Sequence, residues 1–140
     1  MKIFLMLDPP RATAQMQKVA MIHGKPRFYK PTNVQNARDT LIRHLRPFKP
    51  ASPFEDAIEL HVVWLFPRGR HKPNEWKITK PDTDNLQKML KDCMTEIGFW
   101  HDDAQVVKEI VEKRWSDEPC GIAIEMDALT KFYKEDTNDI

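Results

Sequence analysis

Two carboxylate pairs, Asp82 with Asp84 and Asp102 with Asp103, bracket one segment of the chain, and Lys88 falls one helical turn after Asp84. Magnesium takes one or two carboxylates and fills its other positions with water and phosphate oxygens. A nearby ammonium can neutralise charge developing on a phosphate or on a leaving oxygen. Asn85 can hold a carboxylate or a water on the metal. Together these residue types point to metal-assisted chemistry on a phosphate. Each group also has an ordinary use. Asp82 can cap a helix, Asp84 complements a helix dipole, and acids often follow a helix end. Lys88 with Asp84 can be a surface ion pair worth about 0.3–0.5 kcal/mol. The functional expectation therefore rests on the combination.

The element that must position these groups is a helix over 82–98. Leu86, Met89, Leu90, Cys93, Met94 and Ile97 repeat with helical spacing, and Gly98 suits the left-handed residue that ends a helix. A helix of that length spans about 25 Å, so its two ends cannot meet through the helix itself. Adjacent residues on an extended segment point to opposite faces, so only one of Asp102 and Asp103 can easily face the first pair. A returning strand, a shorter helix or a second subunit must bring Asp103 to Asp82 and Asp84.

Around this helix, residues 2–7 form a short apolar run that predicts a buried strand, ended by Pro9 and Pro10. Residues 11–33 read as a long irregular arm, with a hairpin near His23-Gly24. A helix over 34–46 is predicted with Asn33 as its cap and Val34, Ala37, Leu41 and Leu45 on one face. Ile58, Leu60, Val62, Trp64 and Phe66 alternate along a strand. An exposed basic loop follows over 67–80. Residues 105–115 predict another strand with Val107, Val111 and Trp115 on one face, and 120–127 its hairpin partner. The polar segment 129–140 reads as a mobile tail. The expected fold is a single α+β domain, a mixed sheet with helices packed against it and a C-terminal antiparallel hairpin.

The 140 residues suit one domain with a modest core, and no apolar run is long enough for a transmembrane helix or shaped like a signal peptide. Cys93 and Cys120 lack metal-type spacing and read as buried thiols of a cytosolic protein. The net charge of +1 hides an asymmetry. Residues 11–50 carry nine Lys and Arg against one acid, and 67–80 carry five against one. Residues 102–140 carry five basic and eleven acidic residues. Two basic segments in a near-neutral chain suggest a localised phosphate-binding face. Lys25, Arg27, Arg68, Arg70, Lys72, Lys77 and Lys80 are the candidate phosphate contacts, and Trp76, Phe28 and Tyr29 lie among these basic segments.

The run Asp82-x-Asp84-Asn85-Leu86-x-Lys88, followed by Gly98-Phe99-Trp100-x-Asp102-Asp103-Ala104-Gln105-Val106, resembles the RusA family of Holliday-junction resolvases. The resemblance implies a magnesium-dependent endonuclease, with Mn2+ able to substitute, that acts as a homodimer on four-way DNA junctions. It implies metal binding by Asp82, Asp84 and Asp103, catalysis assisted by Lys88, and a supporting place for Asp102. It places the protein in the cytoplasm of a bacterial or phage-infected cell. Two other readings stay open: a branched-DNA-binding module without catalysis, and a structural protein whose acids are only caps.

Overall fold

The computed structural model describes residues 1–11, 13, 18–22, 24–29, 32–130 and 132, with side chains of 18–22, 26–29 and 32 outside that description. The chain runs β1 (Lys2–Met6), β2 (Lys18–Ile22), β3 (Lys25–Tyr29), α1 (Thr32–Leu45), β4 (Ile58–Pro67), α2 (Thr83–Ile97), β5 (Val106–Ser116) and β6 (Gly121–Ala128). Two 3-10 turns, Arg46–Phe48 and Asp103–Gln105, follow the two helices. The hairpin expected near Gly24 is present as the antiparallel pair β2-β3, with Ile22 opposite Lys25. The polar segment expected to be mobile lies outside the described residues beyond Thr130, apart from Phe132.

Four strands form one mixed sheet in the order β1-β6-β4-β5. The most apolar strand takes an interior place. On β4, Ile58, Leu60, Val62, Trp64 and Phe66 are all completely buried, while the residues between them are half-buried. The helices cover the first of these faces. Val34, Leu41 and Leu45 of α1 and Leu86, Met89, Leu90, Cys93 and Met94 of α2 join the β4 residues in one core. Ion pairing of Arg38 with Glu96 at 2.6 Å ties the two helices together.

The expected C-terminal hairpin is not formed. β5 pairs with β4 in parallel and β6 pairs with β4 antiparallel, so β4 lies between the two strands that sequence proximity suggested as partners. The link Asp117–Cys120 therefore crosses about two strand spacings, close to 10 Å. Two interactions favour this order over a tight hairpin. The fully apolar face of β4 gains neighbours on both sides, and β6 gains β1 along its other edge. Gly121 makes that last pairing possible, because a Cβ there would lie 2.1 Å from the Leu5 carbonyl oxygen. The parallel β4-β5 pair requires a long crossover, and α2 lies within it.

Candidate active site

α2 starts as the spacing predicts. Asp82 is the N-cap with extended backbone (φ −73°, ψ 152°), yet its carboxylate makes no capping hydrogen bond. Its carbonyl oxygen accepts from Leu86 N at 3.1 Å. Asp84 lies in the first turn, and Asp82, Asp84 and Lys88 are exposed while Asn85 is half-buried. Leu86, Gln87, Met89 and Leu90 are buried on the other side of the same turns. Among the described residues, no ion pair engages Asp82, Asp84, Lys88 or Asp103. Two exposed carboxylates thus stand at the positive end of a helix dipole without a structural partner, which fits them to a hard cation.

The body of α2 is fixed to the sheet by polar contacts that periodicity does not reveal. Trp64 Nε1 donates to Gln87 Oε1 at 2.8 Å inside the core. Gln87 Nε2 donates to Glu109 Oε1 at 3.2 Å, and Lys91 pairs with Glu109 at 2.9 Å. Further along β5, Lys113 Nζ donates to Thr79 O and to Pro81 O, both at 2.7 Å. As α2 is read backwards from Lys91 toward Asp82, β5 is read forwards from Glu109 to Lys113. The strand therefore returns along the helix, as the spacing required, but it starts at the helix's far end.

Asp103 sits at that far end. It opens the 3-10 turn before β5 and shares a surface depression with Arg38, Asp92, Thr95 and Glu96. The 15 residues of α2 span about 22 Å, so Asp103 is separated from Asp82 and Asp84 by roughly the whole helix. Among the described residues no group of three His, Cys, Asp or Glu side chains gathers to hold a metal. One chain brings Asp82, Asp84, Asn85 and Lys88 to one place and leaves Asp102 and Asp103 elsewhere.

The two adjacent acids also divide their work. Asp102 caps the 3-10 turn: its side chain accepts from Ala104 N at 2.8 Å. Gln105 completes a capping box, its Oε1 accepting from Asp102 N at 3.0 Å and from His101 N at 2.8 Å. The Gln105 amide then donates to Phe54 O and Asp56 O, pinning the turn to the segment before β4. Asp103 makes none of these bonds through its side chain and is left for another use.

The basic loop lies along the edge of β5. Asn74 N donates to Trp115 O at 2.8 Å, Trp115 N to Glu75 O at 2.9 Å and Lys77 N to Lys113 O at 3.1 Å. Arg70, Lys72 and Lys80 are exposed, and so is Lys25 on β3. Two expected phosphate contacts have other work. Lys77 is buried, its ammonium 4.4 Å from the Trp115 ring centre and 5.0 Å from that of Phe66, and it donates to Thr79 Oγ1 at 2.6 Å. Burial and the neighbouring charges of Lys113 and Arg11 lower its pKa. It turns inward because its neighbours turn outward: Trp76 is 61% exposed and Ile78 91%. Arg68 pairs with Asp117 and donates to His71 O at 3.0 Å, closing the loop onto the β5-β6 link. His71 stacks on Trp115 at 4.1 Å. The side chains of Arg27, Phe28 and Tyr29 lie outside the described residues.

Sequence reasoning missed Gln87 and Lys113 as parts of this region. Both left a trace: Gln87 interrupts the apolar side of α2, and Lys113 shares the inward strand face with Val111 and Trp115. Burial lowers the Lys113 pKa, while the nearby Asp82 carboxylate pulls it the other way.

Known proteins resemble this chain in sequence. The sequence profile of the family described as Endodeoxyribonuclease RusA matches residues 9–127. The chain belongs to the RusA family of endodeoxyribonucleases. Among its relatives, a crossover junction endodeoxyribonuclease of Lactococcus phage r1t is 33% identical over 123 residues, which cover 86% of this chain and 92% of the phage protein. The crossover junction endodeoxyribonuclease RusA of Escherichia coli strain K12 is 34% identical over 95 residues, covering 65% of this chain and 68% of that protein. That of Enterobacteria phage 82 has the same identity and coverage. Among the described residues no helix is long and apolar enough to cross a membrane.

Proposed function

We propose that this chain is a homodimeric, Mg2+-dependent endonuclease that resolves Holliday junctions and related branched DNA by paired, symmetric nicks in recombination and repair. The observation that carries the reading is the start of α2. In a chain of this family, Asp82 and Asp84 stand exposed there with no ion-pair partner among the described residues, and the N-cap carboxylate is not spent on capping. The names of the relatives from Lactococcus phage r1t and Escherichia coli support a crossover-junction substrate. The chain's workplace would be the cytoplasm of a bacterial or phage-infected cell.

Asp82 and Asp84 would hold the metal, Mg2+ or Mn2+, with Asp103 of a partner subunit as the third carboxylate. The distance between the ends of α2 makes one chain insufficient, so a second copy, with its own α2 reversed by a two-fold axis, supplies the missing acid. When bound, the metal supplies an activated water and charge relief at the phosphate. Lys88, on the helix face of Asp84, would neutralise charge on the leaving oxygen. Asn85 would orient a carboxylate or water. Arg70, Lys72, Lys80 and Lys25 would hold phosphates of the DNA arms, giving binding that weakens with salt. Trp76, exposed in the loop that carries Arg70, Lys72 and Lys80, would stack at the branch point. A four-way junction has approximate two-fold symmetry, so a C2 dimer presents two sites to symmetric strands.

Purified protein with a synthetic four-way junction and Mg2+ tests the reading. Paired symmetric nicks, lost in Asp82→Asn, are the expected result. Absence of cleavage with Mg2+ and with Mn2+ overturns it.

A further inference from the structure

We infer that Lys113 is a positioning residue for the metal-binding end of α2, a clamp that fixes the backbone entering Asp82. This rests on the reading above that Asp82 and Asp84 hold the metal. The segment ahead of Asp82 has no regular structure to hold it. Two lysines do so instead. Lys113 Nζ donates to Thr79 O and Pro81 O, both at 2.7 Å, and Pro81 is the residue directly before the acid. Lys77 holds the Thr79 side chain at 2.6 Å and is itself fixed over Trp115 and Phe66. The backbone bond from Lys77 N to Lys113 O at 3.1 Å joins the two anchors.

The geometry separates this role from phosphate binding. Two of the three ammonium hydrogens of Lys113 are used on carbonyl oxygens. A residue that merely filled space on the inward face of β5 needs no charge. Its neighbours on that face, Val111 and Trp115, are apolar or aromatic, and Val111 packs against the core. A lysine in such a position is costly unless its donors are used, and here two of the three are used on the backbone that delivers a candidate metal ligand. The arrangement is that of an outer partner which orients a ligand without touching the metal.

The test compares Lys113→Met, which keeps the aliphatic stem, with Lys113→Arg, which keeps charge and two or more donors. Three readouts are taken on the full chain: amide hydrogen exchange without metal, Mn2+ binding by calorimetry, and Mg2+-dependent nicking. In Lys113→Met the amide of Leu86, which donates to the Asp82 carbonyl, should exchange faster while those of 89–93 keep wild-type protection. Mn2+ affinity and nicking should each fall about 10–100-fold, with metal-free junction affinity unchanged. Lys113→Arg should recover most of each loss. Wild-type exchange and Mn2+ affinity in Lys113→Met overturn the clamp, as does equal damage in both variants. If Lys113→Met does not fold, Lys113→Gln, which loses the charge and the reach of the ammonium, takes its place under the same criteria. If wild-type protein cuts no junction but the exchange and Mn2+ results hold, the clamp stands and the nuclease reading fails.

Discussion

The indole of Trp64 and the amide of Gln87 form a hydrogen bond inside the core, 2.8 Å long, with Trp64 completely buried and Gln87 only 2% exposed. It joins the interior strand of the sheet to the helix that carries Asp84 and Lys88. Gln87→Leu would leave the indole N–H without a partner, at a cost of about 1–3 kcal/mol. It would also release Glu109 from one of its two contacts on α2. Urea denaturation should show that loss, and nicking should fall with it because α2 is no longer held in register. A variant as stable as wild type would show that the bond does not hold the helix.

The acids at the start of α2 should behave oppositely. Asp82 makes no capping bond, and Asp84 contributes at most its interaction with the helix dipole. Asp82→Asn and Asp84→Asn should therefore change stability by less than about 1 kcal/mol while removing nicking at any Mg2+ concentration. Thermal melts and junction cleavage on the same preparations decide the matter. Full activity in both variants would leave the two residues as ordinary helix-end acids.

Asp102 and Asp103 are neighbours with separable roles. Asp102→Ala removes the acceptor for Ala104 N and breaks the capping box, which costs about 1 kcal/mol and should leave measurable cleavage. Asp103→Asn should leave the melting temperature unchanged and eliminate cleavage. The reverse ranking of the two variants would assign the metal to Asp102.

The helix over α2 was legible almost to the residue because its apolar spacing, its acidic start and Gly98 agree with one another; Gly98 does adopt the left-handed conformation, at φ 104°. β4 was legible for the same reason. Strand order was not. Residues 105–127 read as a hairpin because β5 and β6 are close in sequence, and nothing local records that β4 comes between them. Asp82, Asp84 and Lys88 were legible as a group because they lie within two helical turns. The inward turn of Lys77 was not, because it depends on two rings, Phe66 and Trp115, that only the pairing of β4 with β5 brings together. Lys113 was hidden among the charges of β5, since its partners are backbone carbonyls that carry no sequence signal.

Cys93 gives a prediction for alkaline pH. It is completely buried, and burial pushes its thiol pKa up from 9.0 to about 11. Between those values the folded chain holds a proton that the unfolded chain has released. The stability it contributes is therefore present below pH 9 and is lost as pH rises toward 11, in total about 2–3 kcal/mol. The lowered pKa values of Lys77 and Lys113 act the other way below 10.5, so the raw profile mixes both. Comparing wild type with Cys93→Ala isolates the thiol. The stability difference between the two proteins should shrink across that window, measured by denaturation at constant ionic strength. A constant difference would mean that the thiol does not resist ionisation.

The separation of Asp103 from Asp82 and Asp84 makes the composite site testable without a structure of the dimer. If each site takes Asp82 and Asp84 from one subunit and Asp103 from the other, Asp82→Asn and Asp103→Asn homodimers are both inactive. A heterodimer of the two variants has one site with both lesions. Its other site joins the intact Asp82 of the Asp103→Asn chain to the intact Asp103 of the Asp82→Asn chain. Mixing the two inactive proteins under conditions of subunit exchange should restore nicking, but on one strand of each junction only, because one site per dimer is whole. If all three acids act within one chain, each subunit of the heterodimer carries a lesion in its own site and mixing restores nothing. End-labelled junctions resolved on a denaturing gel distinguish single nicks from none. Recovery should follow the rate of subunit exchange and not that of DNA binding, which ties the activity to the second copy of the chain.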